Sequence, residues 1–145
     1  MNSGVIIVFS NDESEISDFE KKYLSSINTN KICFVNNASS DKTLSLLKDI
    51  QFKSKKSISI LDIKHDKGLK SAIKSGARLL SSESEFDFIV YLKSNMLESL
   101  IGLTAFLKNF QENKQDYKAL PTRSNRNVLF DVFSICELLN KECIA

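Results

Sequence analysis

Five short apolar runs alternate with five helical periodicities along the chain, and this alternation limits the fold more than any other feature. The runs cover residues 5–9, 32–35, 57–63, 86–92 and 117–120. After the first, Ile16, Phe19, Tyr23 and Ile27 recur at helical spacing, with Asp12 or Ser14 as the cap. Leu44, Leu47 and Ile50 mark a second helix; Leu69, Ala72, Ile73, Ala77 and Leu80 mark a third that starts near Lys67. A fourth spans 97–110, with Leu100, Leu103, Leu107 and Phe110 on one face. A last helix over 128–139 is apolar on most of its circumference. Polar turns separate these segments: Ser10 to Asp12, then residues 28–30, 53–56 and 81–85, then an arginine-bearing loop over 122–127 that follows Pro121, the only proline. A strand followed by a helix can reach its neighbour only through a crossover, which makes the pair parallel. The sequence therefore predicts one α/β domain over residues 1–145, Rossmann-like, with a mainly parallel sheet of about five strands and helices on both faces.

The corner between the second strand and helix is the densest in chemistry. Ile32-Cys33-Phe34-Val35 has the branching of a buried parallel strand. Asn36 and Asn37 stop it, because their side chains bond local backbone and tolerate turns. Ser39, Ser40 and Asp41 then supply N-cap and first-turn chemistry for a helix from Thr43. In an open α/β sheet, ligands bind at such carboxyl-edge corners.

Composition excludes several classes of partner. Twenty basic and 18 acidic residues leave a net charge of +2, too balanced for a nucleic-acid or anionic-membrane binder. Three cysteines, Cys33, Cys136 and Cys143, without CxxC spacing, fit a reducing compartment better than a disulfide framework. With one histidine, His65, a sulfur-based metal site is not expected. The apolar run at residues 5–9 is too short for a signal peptide, and 128–139 falls well below the roughly twenty residues of a membrane span. A cytoplasmic location is expected. The greasy last helix predicts cover by a second copy or by a carbohydrate-assembly partner.

Three segments together resemble the family 2 glycosyltransferases of the GT-A fold. VIIVFSND is similar to that family's opening strand and turn, with Val8 where the family has proline. FVNNASSDKT is similar to its Val-Asp-Asp-Gly-Ser-Ser-Asp-Lys-Thr, and HDKGLKSAIKSG to the Asn-Lys-Gly run that opens its third helix. FDFIVYLKSNM then stands where the family has Tyr-Asp-x-Ile-Val-x-Leu-Asp-x-Asp-Met. The resemblance covers roughly residues 5–96, with a thinner echo through Arg123. It implies a UDP- or GDP-linked sugar as ligand. Phe9 or Ser10 would contact the base, with Asn11 and Asp12 in the same turn. Asn36 or Asn37 would bond the base edge where the family uses aspartate. Asp41 would shape the corner, and Lys67-Gly68 would pass close to base or ribose, where glycine permits near approach.

The chain also departs from the family. Its Asp-x-Asp, which holds magnesium or manganese, is replaced by Lys93-Ser94-Asn95. Lys93 removes a carboxylate and adds a repelling charge, and Asn95 offers at most one weak oxygen. The divalent cation expected for the family thus lacks its ligands. No catalytic residue is assigned: Glu98, Asp116 and Asp131 sit in no family motif, and about fifty residues follow Met96. Arg123 and Arg126 could contact phosphate. The reading that follows is a nucleotide-sugar-binding domain with reduced or no metal-dependent transfer.

Two alternatives stand beside it. One is an active, metal-independent glycosyltransferase in which Lys93 meets the diphosphate. The other is a receiver-like signalling domain, with Asp62 as phosphoacceptor, Asp12 and Glu13 as acids and Lys118 in the fifth strand. A dinucleotide-binding fold is disfavoured, because the first turn, FSNDES, has no glycine.

Overall fold

Seven residues, SGVIIVF, form β1 (Ser3–Phe9), and every one of them is buried. A strand covered on both faces reads as a continuous apolar run, and β1 lies at the middle of the sheet accordingly. The computed structural model describes residues 2–112 and 132–139. After β1 come α1 (Glu13–Lys22), a 3₁₀ turn (Leu24–Ser26), β2 (Lys31–Asn37), α2 (Thr43–Lys53), β3 (Ile58–Ile63) and α3 (Leu69–Glu83). β4 (Phe88–Lys93), a second 3₁₀ turn (Ser94–Met96), α4 (Ser99–Glu112), β5 (Val132–Ser134) and α5 (Ile135–Leu139) complete the described elements. The strand order is β3-β2-β1-β4-β5, with every pairing parallel.

Strand alternation divides the core in two. Val5, Ile7 and Phe9 of β1, with Ile32 and Phe34 of β2, point to the side covered by α1, α2, α4 and α5. There Phe9, Phe19 and Phe34 meet edge to face, at centroid separations of 5.6 to 5.7 Å. Ile6, Val8, Cys33 and Val35 point the other way, onto α3. α3 sits close to the sheet because Gly76 faces it: a Cβ there would lie 3.1 Å from Val35 Cγ2 and 3.2 Å from Ile6 Cγ2.

Four boundaries differ from the sequence reading. β2 continues through Asn36 and Asn37, which pair in register with Asp62 and Ile63. The edge strand supplies their backbone partners, so turn propensity is overridden. α3 runs on to Glu83, into the predicted loop at 81–85. Its last turn is held by Glu83, which accepts hydrogen bonds from Ser59 Oγ at 2.9 Å and an ion pair from Lys31 Nζ at 3.0 Å. The predicted first helix stops at Lys22, and the 3₁₀ turn carries the chain to buried Ile27.

The fourth correction concerns the last helix. Residues 132–134 form a strand against β4, with Val132 paired to Ile89, and only 135–139 are helical. Branched Val132 and aromatic Phe133 suit the sheet edge better than a helix. Phe133, Ile135 and Leu138 are each at least 95% buried within this chain, so for this segment the domain covers its own apolar surface. The predicted strand at 117–120, Pro121, the loop at 122–127, and Asp116, Asp131, Arg123 and Arg126 lie outside the described residues. Cys33 is a buried free thiol, pushed up to about 12 by burial first and then by the nearby Glu83 charge. Cys136 is disulfide-bonded, so the expectation of unbridged cysteines fails there.

Candidate functional site

The turns that follow β1 and β2 are tied into one surface. Ser10 Oγ donates to the Asn37 carbonyl at 2.9 Å. Asn11 N donates to Ser39 Oγ at 3.0 Å, and Asn11 Oδ1 accepts from Ser40 N at 2.8 Å. Asp12 N donates to the buried Thr43 Oγ1 at 2.9 Å, while its own carboxylate accepts from Ser10 N at 2.7 Å. Asp41 accepts from Thr43 N at 2.9 Å and from the Thr43 hydroxyl, and bonding by that hydroxyl holds its carboxyl below the ordinary range. Asn11 and Ala38 adopt left-handed backbone, at φ 52° and 54°. Local bonding and tolerance of this region make Asn a natural choice at the first position; Ala38 has no such excuse and is held by the corner around it. Asn11, Asp12 and Asp41 therefore build the corner.

The two asparagines diverge. Asn36 is 3% exposed and lies on the α1–α2 side, where Nδ2 donates to Asp62 Oδ1 at 2.9 Å. Asp62 also pairs with Lys64, and the bonds from Lys64 and then Asn36 hold its carboxyl low. Asn37 is 7% exposed and lies on the α3 side, where Nδ2 donates to Asp66 Oδ1 at 3.3 Å. The same Asp66 oxygen accepts from Gly68 N at 2.8 Å, so one carboxylate joins β2 to the start of α3. Both asparagine Oδ1 atoms are buried and have no hydrogen-bond partner.

Asn37 itself borders a cleft. A cavity of about 280 Å³ there is lined by Asn37, Ile63, His65, Lys67, Gly68 and Ser71 among others. Gly68 precedes α3 with φ 94°, a region that favours glycine, and nothing lies within 4 Å of where its Cβ would stand. Ser10, Asn37 and Gly68 are thus neighbours, Ser10 bonded to the Asn37 carbonyl and Asn37 joined to Gly68 through Asp66. Phe9 does not join them: its side chain is fully buried between Phe19 and Phe34, on the opposite face. Asn36 is likewise turned away from the cleft. Sequence reasoning missed Asp66. Its position two residues before Gly68, an Asx-turn spacing, was the available signal.

Lys93 ends β4 and pairs in register with Val8, so it shares the α3 side of the sheet with Asn37. It is exposed. Asn95, in the 3₁₀ turn, lines a separate cleft of about 210 Å³ with Glu15, Asp18, Tyr23 and Glu98. Lys93 does not line that cleft. An ammonium, a hydroxyl and an amide are poor ligands for magnesium or manganese. Among the described residues, no group of three His, Cys, Asp or Glu could hold a metal ion. The donor set at Lys93-Ser94-Asn95 does not fit the family's cation.

No protein-family model matches the chain, and no curated protein matches it. Among solved structures it is similar to S. aureus TarS. With TarS 1-349 the TM-score is 0.55 at 18% identity, covering 77% of this chain and 33% of that one. With a second TarS structure the score is 0.54 at 18% identity, covering 77% of this chain and 20% of that one. The chain thus spans a third or less of the structures it matches. The likeness shows the fold alone, an all-parallel α/β arrangement shared with those structures. Among the described residues, no helix is long and apolar enough to cross a membrane.

Proposed function

We propose that this chain is a family 2-like glycosyltransferase domain that binds a UDP- or GDP-linked sugar in the cleft between β2 and α3, with metal-dependent transfer reduced or lost. One observation carries the reading: Asn37 stands at the cleft wall with a buried amide oxygen that has no donor. An unmade bond to a buried acceptor costs about 1–3 kcal/mol. The ring N–H of uracil or guanine is a donor of the right chemistry to complete it once the amide turns its oxygen toward the cleft. Open space at Gly68 and the flanking Lys67 would admit a flat base and its ribose. The family resemblance of the three segments supports the same choice. The absence of carboxylate at Lys93-Ser94-Asn95 supports loss of the metal-dependent step.

Isothermal titration with UDP- and GDP-sugars, with and without manganese, tests this. Saturable heat with at least one donor is expected. No heat with any of them sinks the binding reading.

A further inference from the structure

We propose that Lys93 takes the place of the divalent cation, so that its ammonium neutralises the diphosphate of the bound ligand and no metal is needed for binding. This rests on the nucleotide reading above and adds to it the source of the compensating charge.

Position comes first. β1 alone separates β4 from β2, and Lys93 is level with Val8 and Val35. Asn37 lies two residues beyond Val35, on the same face. With strands spaced about 4.8 Å apart and a rise of about 3.3 Å per residue, the two Cα atoms stand about 12 Å apart. A diphosphate extending from a nucleoside in the Asn37 cleft across the end of β1, past Ser10, would approach β4. An extended lysine side chain covers the remaining gap.

Charge comes second. Among the described residues, the ion pairs are Lys31 with Glu83 and Lys64 with Asp62, and Lys93 has no carboxylate partner. It is exposed on the same face of the sheet as Asn37, so its charge is available to a ligand that reaches past β1. A cation with coordinating water in the same place would face a repelling ammonium within a few ångströms. Asn95, the other half of the expected metal pair, faces a different cleft. Lysine as a point charge binds phosphate without a fixed coordination shell, which suits a corner that has lost its carboxylates.

The test compares nucleosides with their diphosphates. Uridine, UDP, guanosine and GDP are titrated into the full chain in EDTA and again in manganese chloride. Wild type, Lys93→Ala and Lys93→Arg are compared, with thermal melts confirming that each is folded. In EDTA, the diphosphate of the preferred base should bind about tenfold more tightly than its nucleoside. Manganese should leave that ratio unchanged. Lys93→Ala should erase the gain without altering nucleoside affinity, and Lys93→Arg should keep most of it. The proposal is overturned if Lys93→Ala retains the gain, or if the gain appears only with manganese. Binding of a nucleoside with no metal-free gain removes the lysine role alone. Failure of every nucleoside and diphosphate to bind removes the nucleotide reading as well.

Discussion

Asn36 and Asn37 are neighbours in sequence, yet strand alternation sends one amide into a closed polar contact and the other to a cleft. The period of two along a strand decides this, and no property of the side chain does. Asn36 is buried and tied to Asp62 on the edge strand. Asn37 shares its second partner, Asp66, with the backbone of Gly68. Asn37→Ala should therefore weaken nucleoside binding by about fivefold to tenfold, the worth of one hydrogen bond in a site. Asn36→Ala should leave affinity within about twofold while lowering the melting temperature. Titration calorimetry on both variants separates the two, and equal losses of affinity would refute the division.

At the scale of the element, α3 is fastened at both ends. Its start is joined to β2 through Asp66, its middle lies against Ile6 and Val35 at Gly76, and its last turn is clasped by Lys31 and Ser59 at Glu83. At Glu83, burial pushes the carboxyl up, but the bonds from Lys31 and Ser59 and the charge of Lys31 outweigh it and hold it below 4.5. A depressed folded value means that the ion pair's contribution is complete above about 4.5, and fades as pH falls through the lower folded value. Urea midpoints for wild type and Glu83→Gln should differ at pH 7 and draw together as the pH falls below 4.5. A gap that stays constant across that range would show that Glu83 acts by packing alone. The extra helical turn it secures was invisible in the sequence. Ser81, Ser82 and Glu83 look like a loop until a lysine 52 positions earlier is placed beside them by the sheet.

For the whole molecule, strand order decides between fold readings that alternation alone leaves open. β3 is at the edge here, in the order β3-β2-β1-β4-β5. A receiver domain needs the order 2-1-3-4-5, with its phosphoacceptor strand in the centre. Asp62 sits on the edge strand with its carboxylate engaged by Lys64 and Asn36, so acetyl phosphate with magnesium should leave it unlabelled. An acid-labile mass increase of one phosphoryl group on Asp62 would restore the receiver reading. Alternation of Val5 to Phe9, Ile32 to Val35 and the helical stripes made the parallel α/β class legible, because those periods are local. The corner at Ser39 to Thr43 was legible too, since cap and turn chemistry acts within a few residues. What the sequence hid were non-local choices. The length of β2 depended on β3, Phe9 was claimed by an aromatic cluster, and residues 132–134 became a strand only because β4 offered an edge.

β1 has one further consequence, which concerns synthesis on the ribosome. Its first partner, β2, emerges within about thirty residues, but its second, β4, is encoded some eighty residues later. Until then the most hydrophobic strand of the nascent chain carries an open flank at which other polypeptides could dock. Translation speed through that interval, and whatever chaperone shields it, thus bear on yield as directly as any contact in the finished protein.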